Sequence, residues 1–206
     1  MIFDCDGVLV DSLPLANRVM LELIAPFGVS KEFEKVIHHY NGGSLWASLA
    51  KIEELMGEKL PEDFVGRYRE STYKTFKEEL QPIEGAKGFL ERNNLPKCVA
   101  SSGPYEKIEQ NLHTTNLLHH FGNNIFSSYE IKSWKPEPDI FLHAAAKMGF
   151  KPKECVVIED SLDGIAAAVK GGFDCIGLTT ETNLTEMKKS PAMVFKSMSE
   201  IEKFLQ

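Results

Sequence analysis

Apolar positions along this chain follow two different rhythms. From about Pro82 onward, short apolar runs alternate with longer amphipathic stretches. Lys97–Ala100, Asn124–Ser127, Cys155–Ile158 and Cys175–Leu178 read as strands, and the three that carry a cysteine read as buried ones. Ala86–Asn93, Tyr105–Thr114, Pro138–Met148 and Leu162–Lys170 read as the intervening helices. Their ends have local causes. Pro138 sits in a first turn and Gly149 follows the last, Ser161 can cap Leu162–Lys170, and Gly171-Gly172 stops it. At the start of the chain, Ile2-Phe3 leads into Asp4-Cys5-Asp6-Gly7, a short apolar strand ending in acids and a glycine. Strands alternating with helices at this spacing predict a parallel sheet covered on both faces, with Cys175–Leu178 closing the series.

Between Leu15 and Gln81 the strand rhythm disappears. Ala16–Pro26, Lys31–Tyr40, Leu45–Met56 and Pro61–Glu79 all read as helices, separated by Gly28, Gly42-Gly43 and Gly57. Pro14 and Pro82 bracket this stretch. The expectation is an α/β chain. A Rossmann-like core is built from residues 1–14 and 82–206, and an all-helical cap from residues 15–81 is inserted after the first strand. A length of 206 residues suits one core with an insert.

Composition narrows the chemistry. A net charge of −7, without a block of Lys or Arg, argues against bulk attraction to nucleic acid or an anionic membrane. The longest unbroken apolar run, Ile165–Val169, is far too short to span a bilayer or to serve as a secretory signal. Cys5, Cys98, Cys155 and Cys175 lie in strands without Cys-x-x-Cys spacing, so they read as reduced core thiols of a cytoplasmic protein, not as a zinc site. Asn183-Leu184-Thr185 has the form of a glycosylation sequon, to which no role is given.

In an open parallel sheet, ligands bind beyond the carboxyl ends of the strands. Asp4, Asp6 and Gly7 follow the first strand; Ser101, Ser102 and Gly103 follow the second; Glu159, Asp160, Ser161 and Asp163 follow a later one. Lys135 precedes a helix in Trp134-Lys135-Pro136. Carboxylates, a hydroxyl, a lysine and a glycine turn suit a divalent cation beside a phosphate. Mg²⁺ takes oxygen ligands, and a carboxylate beside it can attack phosphorus because the cation offsets the repulsion between two anions. Each group alone has a plainer reading as a turn former, a helix start or a solvated lysine. Their joint occurrence at successive strand ends is the signal.

These residues resemble the four signatures of the haloacid dehalogenase superfamily. Asp4-Cys5-Asp6-Gly7-Val8-Leu9-Val10-Asp11-Ser12 is similar to the first, and Ser101, Lys135 and Glu159-Asp160-Ser161 to the other three, in order. The helical insert resembles the cap of the β-phosphoglucomutase-like branch. The resemblance implies that Asp4 is the nucleophile and Asp6 the general acid and base, with Lys135 fixing charge. It implies phosphate binding by Ser101, Ser102 and Lys135. It also implies Mg²⁺ held by Asp4, the Asp6 backbone carbonyl and Asp160, with Glu159 close by and Asp163 as an outer partner only. An acid at Asp6 implies phosphoryl transfer, since dehalogenases and phosphonate-cleaving members lack one there. Acting as an acid, Asp6 is expected to have a pKa raised by the Asp4 carboxylate.

Two departures favour hydrolysis over mutase chemistry. Where the mutase pattern has a histidine this chain has Ala16, and its phosphate-clamping arginine falls at Leu45. The stretch from Cys98 to Ala145 is similar to bacterial 6-phosphogluconate phosphatases. The expected activity is therefore a Mg²⁺-dependent monophosphatase acting as a monomer on a small phosphorylated sugar or sugar acid, with 6-phosphogluconate as leading substrate. A β-phosphoglucomutase-type mutase is the alternative, and a receiver-type phosphoacceptor domain a remote one. Gly66–Lys77 carries Arg67, Arg69, Lys74 and Lys77 and could face an anionic sugar phosphate, but Glu70–Lys74 and Lys74–Glu78 read as helical pairs, which favours a solvated, salt-bridged face. His38-His39 and His119-His120 read as surface or capping residues, and Trp46 as either a cavity wall or cap core.

Overall fold

A computed structural model describes residues 1–28, 33, 37, 45–180 and 183–206. Six parallel strands form its centre: β1 (Ile2–Phe3), β2 (Cys98–Ser101), β3 (Ile125–Ser127), β4 (Val156–Glu159), β5 (Asp174–Leu178) and β6 (Met193–Phe195). They lie in the order β3-β2-β1-β4-β5-β6. Every strand pair is parallel, with Phe3 opposite Val99 on one side and Ile158 on the other. The chain therefore leaves β1 in both directions, and the crevice at that reversal is where ligands bind in such sheets.

The strands are apolar because both faces are covered. Phe3, Val99, Ile158 and Ile176 join one buried cluster with Phe89, Ile108, Leu112 and Ile201. Ile2, Cys98, Ala100, Val157 and Cys175 point to the other face and pack with Phe141, Ala144, Ile165 and Ala168. All four cysteines are buried and unpaired, as expected of core thiols. The series does not close at β5, however. The edge strand β6 and a final helix, Met198–Leu205, follow it, and Ser197 caps that helix by accepting from the Glu200 amide.

Between β1 and β2 the described residues form helices α1 (Leu13–Ile24), α2 (Leu45–Met56) and α3 (Phe64–Glu79) before α4 (Ala86–Arg92). Met20, Ile24, Leu49, Ile52 and Phe64, with Phe33 and Ile37, make a third cluster distinct from the two on the sheet. The helix expected over Lys31–Tyr40 lies outside the described residues apart from Phe33 and Ile37, as do His38, His39, Gly42 and Gly43. The helical stretch leaves and rejoins the sheet at one place. The Asp11 amide donates to the Gln81 carbonyl at 2.9 Å, and the Ile83 amide to Leu9 at 2.9 Å. Val10 and Pro82 bridge antiparallel there. Among the described residues no helix is long and apolar enough to cross a membrane.

Candidate active site

The tip of β1 turns sharply after Phe3. The Leu9 and Val10 amides return to the Cys5 carbonyl at 2.9 and 3.1 Å, and Gly7 takes φ +79°. A Cβ on Gly7 would lie 2.0 Å from Asp160 Oδ2, so only glycine lets the β4 loop close over the β1 turn. Asp4 and Asp6 reach the same crevice from this turn. Helix α5 (Tyr105–Thr114) starts just beyond β2 and carries Lys107 on its first turn towards them.

Lys135 is buried between two acids. Its ammonium donates to Asp4 Oδ1 at 2.5 Å and to Glu159 Oε1. The other Glu159 oxygen accepts from the Asp160 amide at 3.0 Å, the Ser161 amide at 3.0 Å and the Ser161 hydroxyl at 2.9 Å. Ser161 also caps α8 (Leu162–Lys170), which follows the short α6 (Ser128–Ile131) and α7 (Asp139–Met148), through the Gly164 amide. Glu159 is thus consumed in holding Lys135 and the β4 loop, while Asp160 Oδ1 is buried without a hydrogen-bond partner. Asn183, in the sequon-like triplet, helps to set that loop by donating to the Asp160 carbonyl at 3.1 Å. Asp163 is exposed in the first turn of α8.

Electrostatics divide the two aspartates of β1. Burial, with repulsion from Glu159 and Asp6, pushes the Asp4 carboxyl up to about 7 against the pull of Lys135. Asp6 behaves differently from the expectation. Burial would raise it, but the Lys107 charge and hydrogen bonds from Lys107 and Ser12 outweigh that and hold it below its ordinary value. Lys107 Nζ lies 2.6 Å from Asp6 Oδ2, and Ser12 Oγ 2.5 Å from Oδ1. The sequence reading gave Lys107 no role, although its place one turn after the Ser101 loop could have marked it.

Asp4, Asp6, Ser101, Ser102, Gly103 and Lys107 line one cavity of about 170 Å³ beneath the helical stretch. Ser101 Oγ accepts from the Gly103 amide at 3.2 Å, and Ser102 Oγ is buried without a partner. From the helical side come Ala16, Leu45, Tyr68, Arg69, Thr72 and Tyr73. Ala16 and Leu45 therefore do face the cavity and offer it only apolar surface. Trp46 is 55% exposed and does not line it.

The residues fit Mg²⁺. Among the described residues, Asp4, Asp6 and Glu159 are paired with Lys107 and Lys135 alone, so with Asp160 the cluster is short of positive charge, and Asp160 Oδ1 is an acceptor without a donor. Burial, then Glu159 and Asp4, raises the Asp160 carboxyl well above its ordinary value. A cation in the crevice would relieve this. Among the described residues no three acidic, His or Cys side chains converge on one point. Mg²⁺ needs only one or two carboxylates when waters and a phosphate supply the remaining oxygens.

Comparison with known proteins agrees with this geometry. Residues 1–172 match the haloacid dehalogenase-like hydrolase family. The chain is 32% identical over 173 residues to the 6-phosphogluconate phosphatase of Escherichia coli, covering 84% of this chain and 78% of that one. It is 27% identical over 177 residues to the fructose-1-phosphate phosphatase YqaB of the same organism, covering 85% and 94%. A haloacid dehalogenase-like protein from Agrobacterium tumefaciens superposes with a TM-score of 0.86 at 28% identity, covering 99% and 96%. The chain belongs to the haloacid dehalogenase-like hydrolases, and its named relatives place it among the phosphatases of that family.

Proposed function

We propose that this chain is a Mg²⁺-dependent phosphatase that hydrolyses a small phosphorylated sugar or sugar acid, 6-phosphogluconate foremost, through an aspartyl-phosphate on Asp4. The observation that carries the reading is the position of Asp4. It is buried, paired to Lys135, and lines the same cavity as Ser102, whose hydroxyl has no partner. Asp4 Oδ attacks phosphorus and the ester oxygen leaves. Asp6 gives its proton to that oxygen, then takes one from the water that cleaves the acyl phosphate and restores Asp4. Asp6 must first exchange partners and take up a proton from solvent water, because Lys107 and Ser12 hold it ionised in the ligand-free protein. An incoming phosphate dianion supplies the cause: it competes for Lys107 and repels the ionised carboxylate.

Ser101, Ser102 and the Gly103 turn would hold the phosphoryl oxygens, and Lys135 would keep Asp4 aimed. Mg²⁺ would be held by Asp4, the Asp6 carbonyl and Asp160, with Glu159 adjacent through Lys135. Its contribution when bound is to offset the repulsion between the Asp4 carboxylate and the phosphate. The apolar surface of Ala16 and Leu45 supports hydrolysis over mutase chemistry.

Phosphate release should be measured from 6-phosphogluconate, fructose 1-phosphate and β-glucose 1-phosphate, with Mg²⁺ and with a chelator. Acid-quenched protein should carry label on Asp4, and Asp4→Asn should neither carry label nor turn over. Glucose 6-phosphate appearing faster than inorganic phosphate, in the presence of the 1,6-bisphosphate, would make the enzyme a mutase.

A further inference from the structure

One cation in the cavity lacks a counter-ion. Lys107 is paired with Asp6 and Lys135 with Asp4 and Glu159, but Arg69 has no carboxylate partner among the described residues. Its guanidinium donates to the Tyr129 hydroxyl at 3.0 Å and lies 5.7 Å from the centre of that ring. Tyr129 is in turn braced edge-on by Trp134, with ring centroids 5.4 Å apart. All three residues line the cavity. Arg69 projects from α3 on the helical side, whereas Tyr129 comes from the one-turn helix Ser128–Ile131 beyond β3 and Trp134 from the loop after it. The pair therefore spans the cavity roof and its wall.

The sequence offers Arg69 two settings, a solvated salt-bridged helix face and a face towards an anionic sugar phosphate, and its i,i+4 pairs favour the first. The structure turns that part of α3 inward. Tyr68, Arg69, Thr72, Tyr73 and Phe76 recur at helical spacing and all line the cavity. A half-buried guanidinium held by a neutral phenol, without a compensating acid, is an anion site awaiting its anion. The phosphate itself already has Ser101, Ser102 and Lys135 near Asp4.

We propose that Arg69, steadied by Tyr129, binds a second anionic group at the far end of the phosphate ester, and that this group is a carboxylate. The planar guanidinium fork matches a carboxylate with two parallel hydrogen bonds. A second phosphate, carrying up to two charges, would meet only this one unpaired cation among the described residues that line the cavity. The assignment rests on the phosphatase reading above and sharpens it. The substrate class becomes phosphorylated sugar acids, and neutral phosphosugars become the poorer substrates.

A matched pair of esters tests this. 6-Phosphogluconate and glucitol 6-phosphate differ by a carboxylate against a hydroxymethyl group. Wild-type protein should favour 6-phosphogluconate in kcat/KM, and Arg69→Met should lower that ratio by roughly 10- to 150-fold, the worth of one charge-assisted hydrogen-bond pair. Tyr129→Phe should lower it less. Arg69→Lys should recover only part, because a point charge cannot reproduce the fork. A melting temperature within the normal range for each variant excludes misfolding as the cause. Equal loss on both esters, or an unchanged ratio, overturns the subsite.

Phenyl phosphate separates this from the underlying reading. If no ester, phenyl phosphate included, releases phosphate, the phosphatase mechanism fails. Arg69 is still testable by binding, because Trp134 fluorescence should report it. In Asp4→Asn protein, 6-phosphogluconate should bind more tightly than glucitol 6-phosphate, and Arg69→Met should remove the difference. No difference before that change would also overturn the proposal.

Discussion

Lys135 shows how much one residue can hold in place. Its ammonium is the buried counter-charge of both Asp4 and Glu159, so removing it leaves two carboxylates in a dry site. Lys135→Met is expected to cost about 3–5 kcal/mol of folding stability, readable by urea denaturation, together with turnover. The raised carboxyls make a second prediction. Folded Asp4 binds its proton up to about 7, whereas an unfolded aspartate releases it near 3.8. The folded state therefore holds more protons between those values, and the metal-free protein should lose stability as pH rises through that window. Asp160 acts in the same direction, and Asp6, whose carboxyl is lowered, in the opposite one at more acidic pH. Calorimetry in chelator should show a falling melting temperature, Mg²⁺ should reverse it, and Asp4→Asn should flatten it. The acids and Lys135 were legible in the sequence because each sits at a strand end or a helix start. The Lys107–Asp6 pair was not, because it depends on how α5 is rotated against the β1 turn, which no local pattern encodes.

At the level of elements, α8 is fitted to Glu159 with no slack. A Cβ on Gly164 would fall 1.9 Å from the Glu159 carboxyl carbon. Gly164→Ala should displace that carboxylate from Lys135, cost about 1–3 kcal/mol, and weaken Mg²⁺ binding measured by titration calorimetry. An alanine elsewhere in the same helix would ordinarily help it, so a gain in stability would show that the packing is looser than described. Strong elements were readable almost to the residue: Leu45–Met56, Tyr105–Thr114 and Leu162–Lys170 all form where their apolar periodicity places them. The edge strand β6 was not readable. Met193–Phe195 is only three residues long and partly exposed, and although Ala192–Phe195 is an unbroken apolar run, a run this short does not by itself distinguish a strand from the start of a helix. Its identity as a strand comes from pairing with β5, a tertiary cause.

Across the whole molecule, two hydrogen bonds among the described residues join α3 to the sheet side of the cavity. Arg69 reaches Tyr129, and Gln110 donates to the Tyr73 carbonyl at 3.1 Å. Two such bonds are worth about 1–3 kcal/mol together, so an opened form should be populated at the level of per cents and admit substrate. Small-angle scattering should show expansion when Gln110→Ala and Tyr129→Phe are combined, and contraction with a phosphate mimic. A profile indifferent to both would mean the roof is fixed. The crossing at Asp11 and Gln81 has a separate consequence. Seventy positions of sequence begin and end one hydrogen bond apart, so to the sheet the entire helical stretch is equivalent to a hairpin turn. Roofs of other lengths and shapes could be spliced between those two residues without shifting the register of a single strand. Among the described residues, the apolar packing against the sheet that would need replacing is that of Leu15, Ala16, Phe76 and Leu80. Selectivity for the ester can thereby change while the chemistry of the phosphate is kept, provided the new roof retains the Ser12 hydroxyl on Asp6.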